Sequence, residues 1–249
     1  MKPLIIAHRG FSAIAPENTL AAFSKALELG VDYIELDIHL TKDDQVVIIH
    51  DETLERTTNG QGYVGDKSLE EIKKLDAGSW FDPAFKSEKI PTLEELIKLV
   101  NGKALLFIEV KKGKALYGGI EQRTIELIDR CGAREWCILH SFEKEVLYNI
   151  YHIDPSFPLY MTLEFDPSSE PFVPGSEIKE EPSYLSYESF KGYNVNHEVV
   201  DTTTMKKVRK MGWKIVVWTV NEETDIQRMV DLQVDGIITN FPDRVKRLV

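Results

Sequence analysis

The sequence predicts an α/β fold, a (β/α)8 barrel with a small insertion after its second strand unit. Three observations carry this expectation. Short β-rich apolar runs alternate with amphipathic stretches of helical length, eight of the runs are separated by such stretches, and the chain has 249 residues. Alternation of this kind builds a parallel sheet, since parallel neighbours need a crossover between them. About 250 residues is the usual size of a closed barrel of this type. The competing open, doubly wound sheet is disfavoured by the strand count and because no G-x-G-x-x-G follows the first run.

LIIA (4–7) opens the sheet, and NTLAAFSKALELG then repeats its apolar residues at helical spacing before ending in glycine. YIELDI (33–38) and VVII (46–49) are joined only by the polar turn LTKDDQ, too short for a crossover helix. VVII therefore extends the second unit and adds no barrel strand. Residues 51–90 are polar and Gly-rich with one short helical segment, SLEEIKKLD, and read as a small subdomain inserted into a single barrel of residues 1–249. TLEELIKLVNG leads to the third strand, LLFIEV (105–110), and GGIEQRTIELIDRCG to the fourth, WCILH (136–140). SFEKEVLYNIY precedes LYMTL (159–163); the Pro- and acid-rich stretch 164–182 shows no periodicity before YNV (193–195). TTTMKKVRKMG precedes KIVVWTV (214–220), and NEETDIQRMVDLQ, with Asn221 as its expected cap, precedes GIIT (236–239). DRVKRLV supplies a short closing helix.

With 43% hydrophobic residues the chain can bury a sizeable core. A net charge of -11 excludes a broad face for a nucleic-acid backbone and leaves room for a phosphate ester in a local pocket. Cys131 and Cys137 are too few for a disulfide-built fold. No run is long enough for a signal-peptide core or a membrane span, so the expectation is a cytoplasmic protein without stable membrane association. Oligomeric state is left open.

Barrel active sites lie at the C-terminal ends of the strands, and the polar residues there decide the chemistry. Glu35 and Asp37 are two apart in YIELDI, so both side chains leave one face of the strand. Two adjacent carboxylates repel unless a cation joins them, and oxygen ligands favour a hard divalent ion such as Mg2+ or Ca2+. The alternative is a solvated pair on an exposed strand. Glu109 and Lys111 repeat the spacing at the third strand; they read as a third ligand and a phosphate contact, or as a structural ion pair. His8 ends the first strand and His50 closes VVIIHD before Asp51, a pair suited to sharing acid and base duties. Arg9 offers a fork to phosphate and Gly10 a tight exit. Glu17 could bind the ion, orient a histidine or open the helix, and Asn18 reads as a cap or local hydrogen-bonder. Trp218 could form an apolar wall of a site or an ordinary piece of core. His140, at the end of the fourth strand, is a candidate for substrate contact; His39, His152 and His197 carry weaker signals.

Further segments make the pattern specific. HRG at 8–10, PENT at 16–19, IELDIHLTKDDQVVIIHD at 34–51, ERTTNGQGYV at 55–64, IPTLEELI at 90–97, IEVK at 108–111, WTVN at 218–221 and DGIITNFP at 235–242 together resemble the glycerophosphodiester phosphodiesterase family. The resemblance runs essentially from end to end. It implies a TIM-type barrel with a small insertion and one divalent ion, Mg2+, Ca2+ or Mn2+, on Glu35, Asp37 and Glu109. His8 and His50 would be the acid/base pair, Arg9 and Lys111 the phosphate contacts, Glu17 a neighbour of the metal site and Asp51 a support behind it. The implied reaction converts small glycerophosphodiesters, such as glycerophosphocholine, to glycerol 3-phosphate and an alcohol. Two departures stand out: Asp44 occupies a turn position where the family commonly has glycine, and His140 is assigned to tuning substrate fit. A lysophospholipase D reading would need an apolar channel, for which Tyr184, Tyr187, Phe190 and Tyr193 are candidates; a core role for at least some of them is the alternative. A barrel aldolase or isomerase and a non-catalytic binding barrel are the alternatives of other classes.

Overall fold

Runs of β-branched and aromatic residues form strands here because a barrel wall is buried on both faces. The protein is described by a computed structural model covering residues 2–111, 118–163, 189–210 and 212–249. Its strands are β1 (Leu4–Ala7), β2 (Tyr33–Leu40), β3 (Val46–Ile48), β4 (Leu105–Val110), β5 (Cys137–Ser141), β6 (Leu159–Leu163), β7 (Phe190–Asn196), β8 (Lys214–Trp218) and β9 (Gly236–Thr239). All but β3 pair in parallel, and β1 pairs with both β9 and β2, so the sheet closes into the predicted (β/α)8 barrel. β3 lies antiparallel on β2, Ile38 opposite Ile48, outside the ring as its short turn required. Asp44 in that turn has φ 58°, a left-handed conformation that Asp tolerates and glycine prefers.

The helices are α1 (Leu20–Leu29), α2 (Leu69–Ile72), α3 (Leu93–Val100), α4 (Ile120–Arg130), α5 (Lys144–Ile153), α6 (Thr202–Lys210), α7 (Glu223–Asp231) and α8 (Pro242–Leu248). α1 begins where the Thr19 hydroxyl accepts from the Ala22 N–H and ends where Gly30, at φ 72°, donates to the Ala26 and Leu27 carbonyls. α3 starts with a reciprocal Thr92–Glu95 box. α7 departs from expectation: Glu222 takes the cap position without a side-chain bond. Asn221 lies one residue too early and accepts instead from the Asn240 N–H at 3.0 Å.

Two cores result. The outer one packs the helices against the sheet, with Phe23, Leu36, Leu96, Ile128 and Val217 among its buried members. The inner one, Ile6, Phe107, Tyr160, Val216 and Ile238, fills the barrel. β7 enters through a bulge, for Leu159 pairs with Phe190 but Tyr160 with Gly192. A Cβ at Gly192 would stand 2.2 Å from the Lys214 carbonyl oxygen, so only glycine admits the approach. The extra residue flips the alternation and puts Phe190 and Tyr193 on one face, both against Trp213 in the outer core. Both take the core role, the alternative to lining a channel; Tyr184 and Tyr187 lie outside the described residues.

Between β3 and α3 the chain folds over a third, small core of Val47, Ile49, Leu54, Val64, Ile72, Ala77 and Ile90. α2 is set by a Ser68–Glu71 capping box. Asp76 ties the following loop: its carboxylate accepts from the N–H groups of Gly78, Ser79 and Ser87 and from the Ser79 hydroxyl. These donors, Ser79 and Gly78 foremost, hold the carboxyl well below the ordinary aspartate range. Its stabilising effect is present above the unfolded value near 3.9 and fades as pH falls through the lower folded value. Asp76→Asn is therefore expected to lose ~1 kcal/mol at pH 7, with wild type and variant converging toward pH 2. Thermal melts across that pH range check it; a constant gap would refute the charge dependence.

Candidate active site

Side chains two residues apart on a strand leave the same face, so each inner apolar residue predicts the position above it. Above Ile6 stands His8, above Tyr33 Glu35, above Phe107 Glu109, above Ile138 His140, above Tyr160 Thr162, above Val216 Trp218 and above Ile238 Asn240. The barrel thus changes from apolar to polar in one step at its C-terminal end. His8, Arg9, Glu35, His50, Glu109, Lys111, His140 and Trp218 line one cavity of about 380 Å³ there. Asp37, Glu17 and Asp51 are outside this lining but contact it, Asp37 through Arg9 and Lys111, Glu17 through Arg9 and Asp51 through His50. The structure therefore brings the candidate proton-moving, ion-holding and phosphate-contacting residues, with Glu17, Asp51 and His140, to one end of the barrel.

Arg9 adopts φ 55° and Gly10 φ 83°, a left-handed turn directly after β1. A Cβ on Gly10 would meet the Ala22 backbone at 2.7 Å, so glycine is required by α1 as well as by the turn. The turn aims the Arg9 N–H at Glu35 Oε2, 2.9 Å away, and the guanidinium at Glu17 (2.8 Å) and Asp37 (3.4 Å). Asn18 donates to Asp37 Oδ2 at 2.9 Å, a partner 19 residues away on β2; it is thus neither the cap, which is Thr19, nor a local hydrogen-bonder. Lys111 Nζ bridges Asp37 Oδ1 at 2.8 Å and Glu109 Oε1 at 2.5 Å. Burial would raise the Asp37 carboxyl, but Lys111 and Arg9 outweigh it and hold Asp37 well below its ordinary value. Glu35 moves the other way: burial and the neighbouring Asp37 charge push it well above the usual range. Burial likewise pushes Glu109 up to about 7, against the pull of Lys111.

Each flanking histidine has one ring nitrogen tied. His8 Nδ1 lies 2.6 Å from Asn240 Oδ1, and His50 Nδ1 lies 2.6 Å from Asp51 Oδ1. Both partners are acceptors, so Nδ1 carries the proton and Nε2 keeps its lone pair. Burial, reinforced by Arg9, lowers His8 to about 4; burial also lowers His50. Both imidazoles are therefore neutral near pH 7. His39, one of the weaker candidates, serves structure by bonding the His50 carbonyl at 3.1 Å. His197 is held by Arg228, and exposed His152 lies against Tyr148.

The profile of the glycerophosphoryl diester phosphodiesterase family matches residues 8–244, nearly the whole chain. The chain belongs to that family. It is 42% identical over 250 residues to a glycerophosphodiester phosphodiesterase of Caldanaerobacter subterraneus subsp. tengcongensis, covering 100% of this chain and 98% of the relative. The crystal structure of a glycerophosphodiester phosphodiesterase from Agrobacterium tumefaciens superposes with a TM-score of 0.81 at 31% identity, covering 98% of this chain and 99% of the other. An Oleispira antarctica phosphodiesterase, solved with the product sn-glycerol-3-phosphate, superposes with a TM-score of 0.81 at 27% identity over 98% and 96% of the two chains. This member of the glycerophosphodiester phosphodiesterases is accordingly a hydrolase of glycerophosphodiesters. Among its described residues no helix is long and apolar enough to cross a membrane.

The phosphodiesterase site also holds a cluster able to take a metal ion. Glu35, Glu109 and His140, all buried, each bring one ligand atom within 4.8 Å of the others. The donor chemistry of this site fits a cation. Three buried carboxylates, Glu35, Asp37 and Glu109, have Arg9 and Lys111 as their cationic partners among the described residues, and His140 Nε2 has no hydrogen-bond partner there. The other His140 nitrogen bonds Thr162 Oγ1 at 2.8 Å, and the ring stacks on Phe107 at 4.1 Å, so Nε2 is fixed toward the carboxylates.

Several contributors were missed by sequence reasoning. Asn240 and Thr162 follow inner apolar residues by two, a spacing that could have flagged them. Arg56 had no such signal. It comes from the segment after β3 and forks onto Asp51 (2.6 and 3.0 Å) and Glu17 (3.0 and 2.8 Å). Through them it joins His50 to Arg9, two groups on different strand ends. The Arg56 bond holds Asp51 down to about 2, with help from His50.

Proposed function

We propose that this phosphodiesterase hydrolyses deacylated phospholipid headgroup diesters, glycerophosphocholine and glycerophosphoethanolamine among them, to sn-glycerol 3-phosphate and the free alcohol. One observation carries the reading: two neutral imidazoles, each tied at Nδ1, line one cavity with buried carboxylates and with Arg9 and Lys111. His8 and His50 move the protons. One takes a proton at Nε2 from the attacking oxygen, and the other delivers one to the leaving alkoxide. Water attack in one step, or after the glycerol 2-hydroxyl has closed a cyclic phosphate, uses the same two groups. Arg9 and Lys111 hold phosphate oxygens, and Trp218 walls the substrate.

A divalent ion, Mg2+ or Ca2+ with Mn2+ as the third choice, would when bound stabilise charge on a non-bridging oxygen. Glu35, Asp37 and Glu109 are the residues to hold it, with His140 beside them. Asp37 already serves Lys111 and Asn18, but a carboxylate accepts at about four lone-pair positions and retains capacity. With only two cysteines in the chain, a reducing, cytoplasmic setting is the location this reading assigns. The test is release of sn-glycerol 3-phosphate from a panel of glycerophosphodiesters and lysophospholipids with each ion in turn. Failure to turn over any phosphodiester with any ion overturns the proposal; preference for the acylated substrates would favour the lysophospholipase D reading.

Arg56 yields a second expectation. Arg56→Ala releases Asp51 and Glu17 together and lets His50 and Arg9 drift apart. A displacement near 1 Å can cost about 100-fold, so kcat is expected to fall about 10- to 100-fold with ion affinity unchanged. Arg56→Lys keeps the charge but loses the fork, and should recover little. Steady-state kinetics with calorimetric ion titration decide it; full activity of Arg56→Ala would show the network to be ornamental.

A further inference from the structure

Beyond the polar cluster, the cavity is lined by Phe142, Glu143 and Trp218, none of which the proton chemistry uses. Phe142 and Glu143 follow directly after β5, and Trp218 ends β8. The Phe142 and Trp218 rings stand 5.6 Å apart at 82°, an edge-to-face corner. Such a pair covers one ring face by its own contact, and although Trp218 also packs on the inner core, both rings stay partly exposed and line the cavity. The Glu143 side chain is exposed and, among the described residues, enters no ion pair. Arg9 and Lys111, by contrast, are both engaged by carboxylates. The cavity wall therefore offers aromatic surface from two rings and a carboxylate without an ion pair among the described residues, the surroundings that favour an ammonium group.

We infer that Phe142, Trp218 and Glu143 form a headgroup subsite that selects diesters whose alcohol carries a cationic nitrogen, quaternary or primary. The inference rests on the proposed hydrolysis and adds which diesters are preferred. A diester of this class is a zwitterion with its ammonium two carbons from the phosphate ester oxygen. Its phosphate would meet Arg9 and Lys111 while its nitrogen meets the aromatic corner and Glu143. A neutral polyol headgroup gains neither the cation–π contact nor the carboxylate.

The test is kcat/KM for glycerophosphocholine and glycerophosphoethanolamine against glycerophosphoglycerol and glycerophosphoinositol, in wild type, Glu143→Gln, Phe142→Leu and Trp218→Leu. Wild type is expected to favour the cationic pair by about tenfold or more, and each variant to reduce that ratio about three- to tenfold. The ratio is internal to each preparation, so poor folding of one variant cannot mimic the effect. Lys144→Gln, at the neighbouring residue outside the cavity lining, should leave the ratio unchanged. Equal loss on all four substrates would overturn the inference, because the corner would then hold the shared glycerol phosphate. Equal wild-type rates on all four would overturn it too, leaving hydrolysis intact. No turnover of any diester would sink the underlying reaction as well.

Discussion

His50→Ala and His8→Ala are each expected to lower kcat by about 100- to 10,000-fold while divalent-ion affinity stays within a few-fold of wild type. Neither imidazole belongs to the cluster of ligand atoms formed by Glu35, Glu109 and His140. Removing one leaves the carboxylates and their cations where they are. His8 lies 4.0 Å from Glu35 through Nε2 and is anchored instead by Asn240; His50 is anchored by Asp51. The loss should therefore fall on proton transfer. A leaving-group test sharpens the assignment: a diester with an acidic phenol needs no proton at its departing oxygen, so the variant lacking the general acid should recover much of its rate on that substrate. If both variants lose ion binding as severely as turnover, the division between proton-moving and ion-holding groups is wrong.

The two neighbours behind those histidines carry a smaller, related effect. Asn240 and Asp51 fix which nitrogen bears the proton. Their replacement should cost rate without removing either imidazole, as expected when a tautomer is released.

The parts of this molecule legible in its sequence are those with short-range causes. The strands announced themselves because β-branched runs end at polar residues. Glu35 with Asp37, and Glu109 with Lys111, share a face by period two alone. β3 was excluded from the ring because LTKDDQ cannot contain a crossover. What escaped depends on distant partners. Asn240 reaches His8 across 232 positions and Arg56 reaches Glu17 across 39, distances over which residue type carries no signal. The choice between channel and core for Phe190 and Tyr193 was not legible for another reason: the bulge before Gly192 reverses the strand's alternation, so counting by twos puts them on opposite faces although both pack in the outer core. Asn221 misled by one residue, since the chain between β8 and α7 makes it a partner of Asn240 and not a cap.

Glu35→Gln and Glu109→Gln are expected to cut divalent-ion affinity by at least about 100-fold, beyond the ~10–100-fold typical of losing an outer partner, and to abolish turnover at ordinary ion concentrations. The metal-free protein should respond in the opposite sense. Glu35 is 3% exposed and crowded by Asp37 and Glu109, so an isosteric neutral amide relieves like-charge repulsion at the cost of one hydrogen-bond acceptor's charge. Without ion, Glu35→Gln should thus melt no lower than wild type. Added ion separates them. At 100-fold its Kd an ion that binds only the folded state contributes ~2.7 kcal/mol, about 5–10 °C for a chain of this size. Wild type should show that rise, and EDTA should remove both the rise and the turnover until ion is restored. Glu35→Gln should show almost none. This pairing of outcomes distinguishes a ligand from a structural carboxylate, whose loss would lower the melting point with or without ion. A wild-type enzyme whose melting point and rate ignore both EDTA and added ion would mean that Arg9 and Lys111 alone balance the cluster, and that the raised carboxyls Glu35 and Glu109 stay protonated.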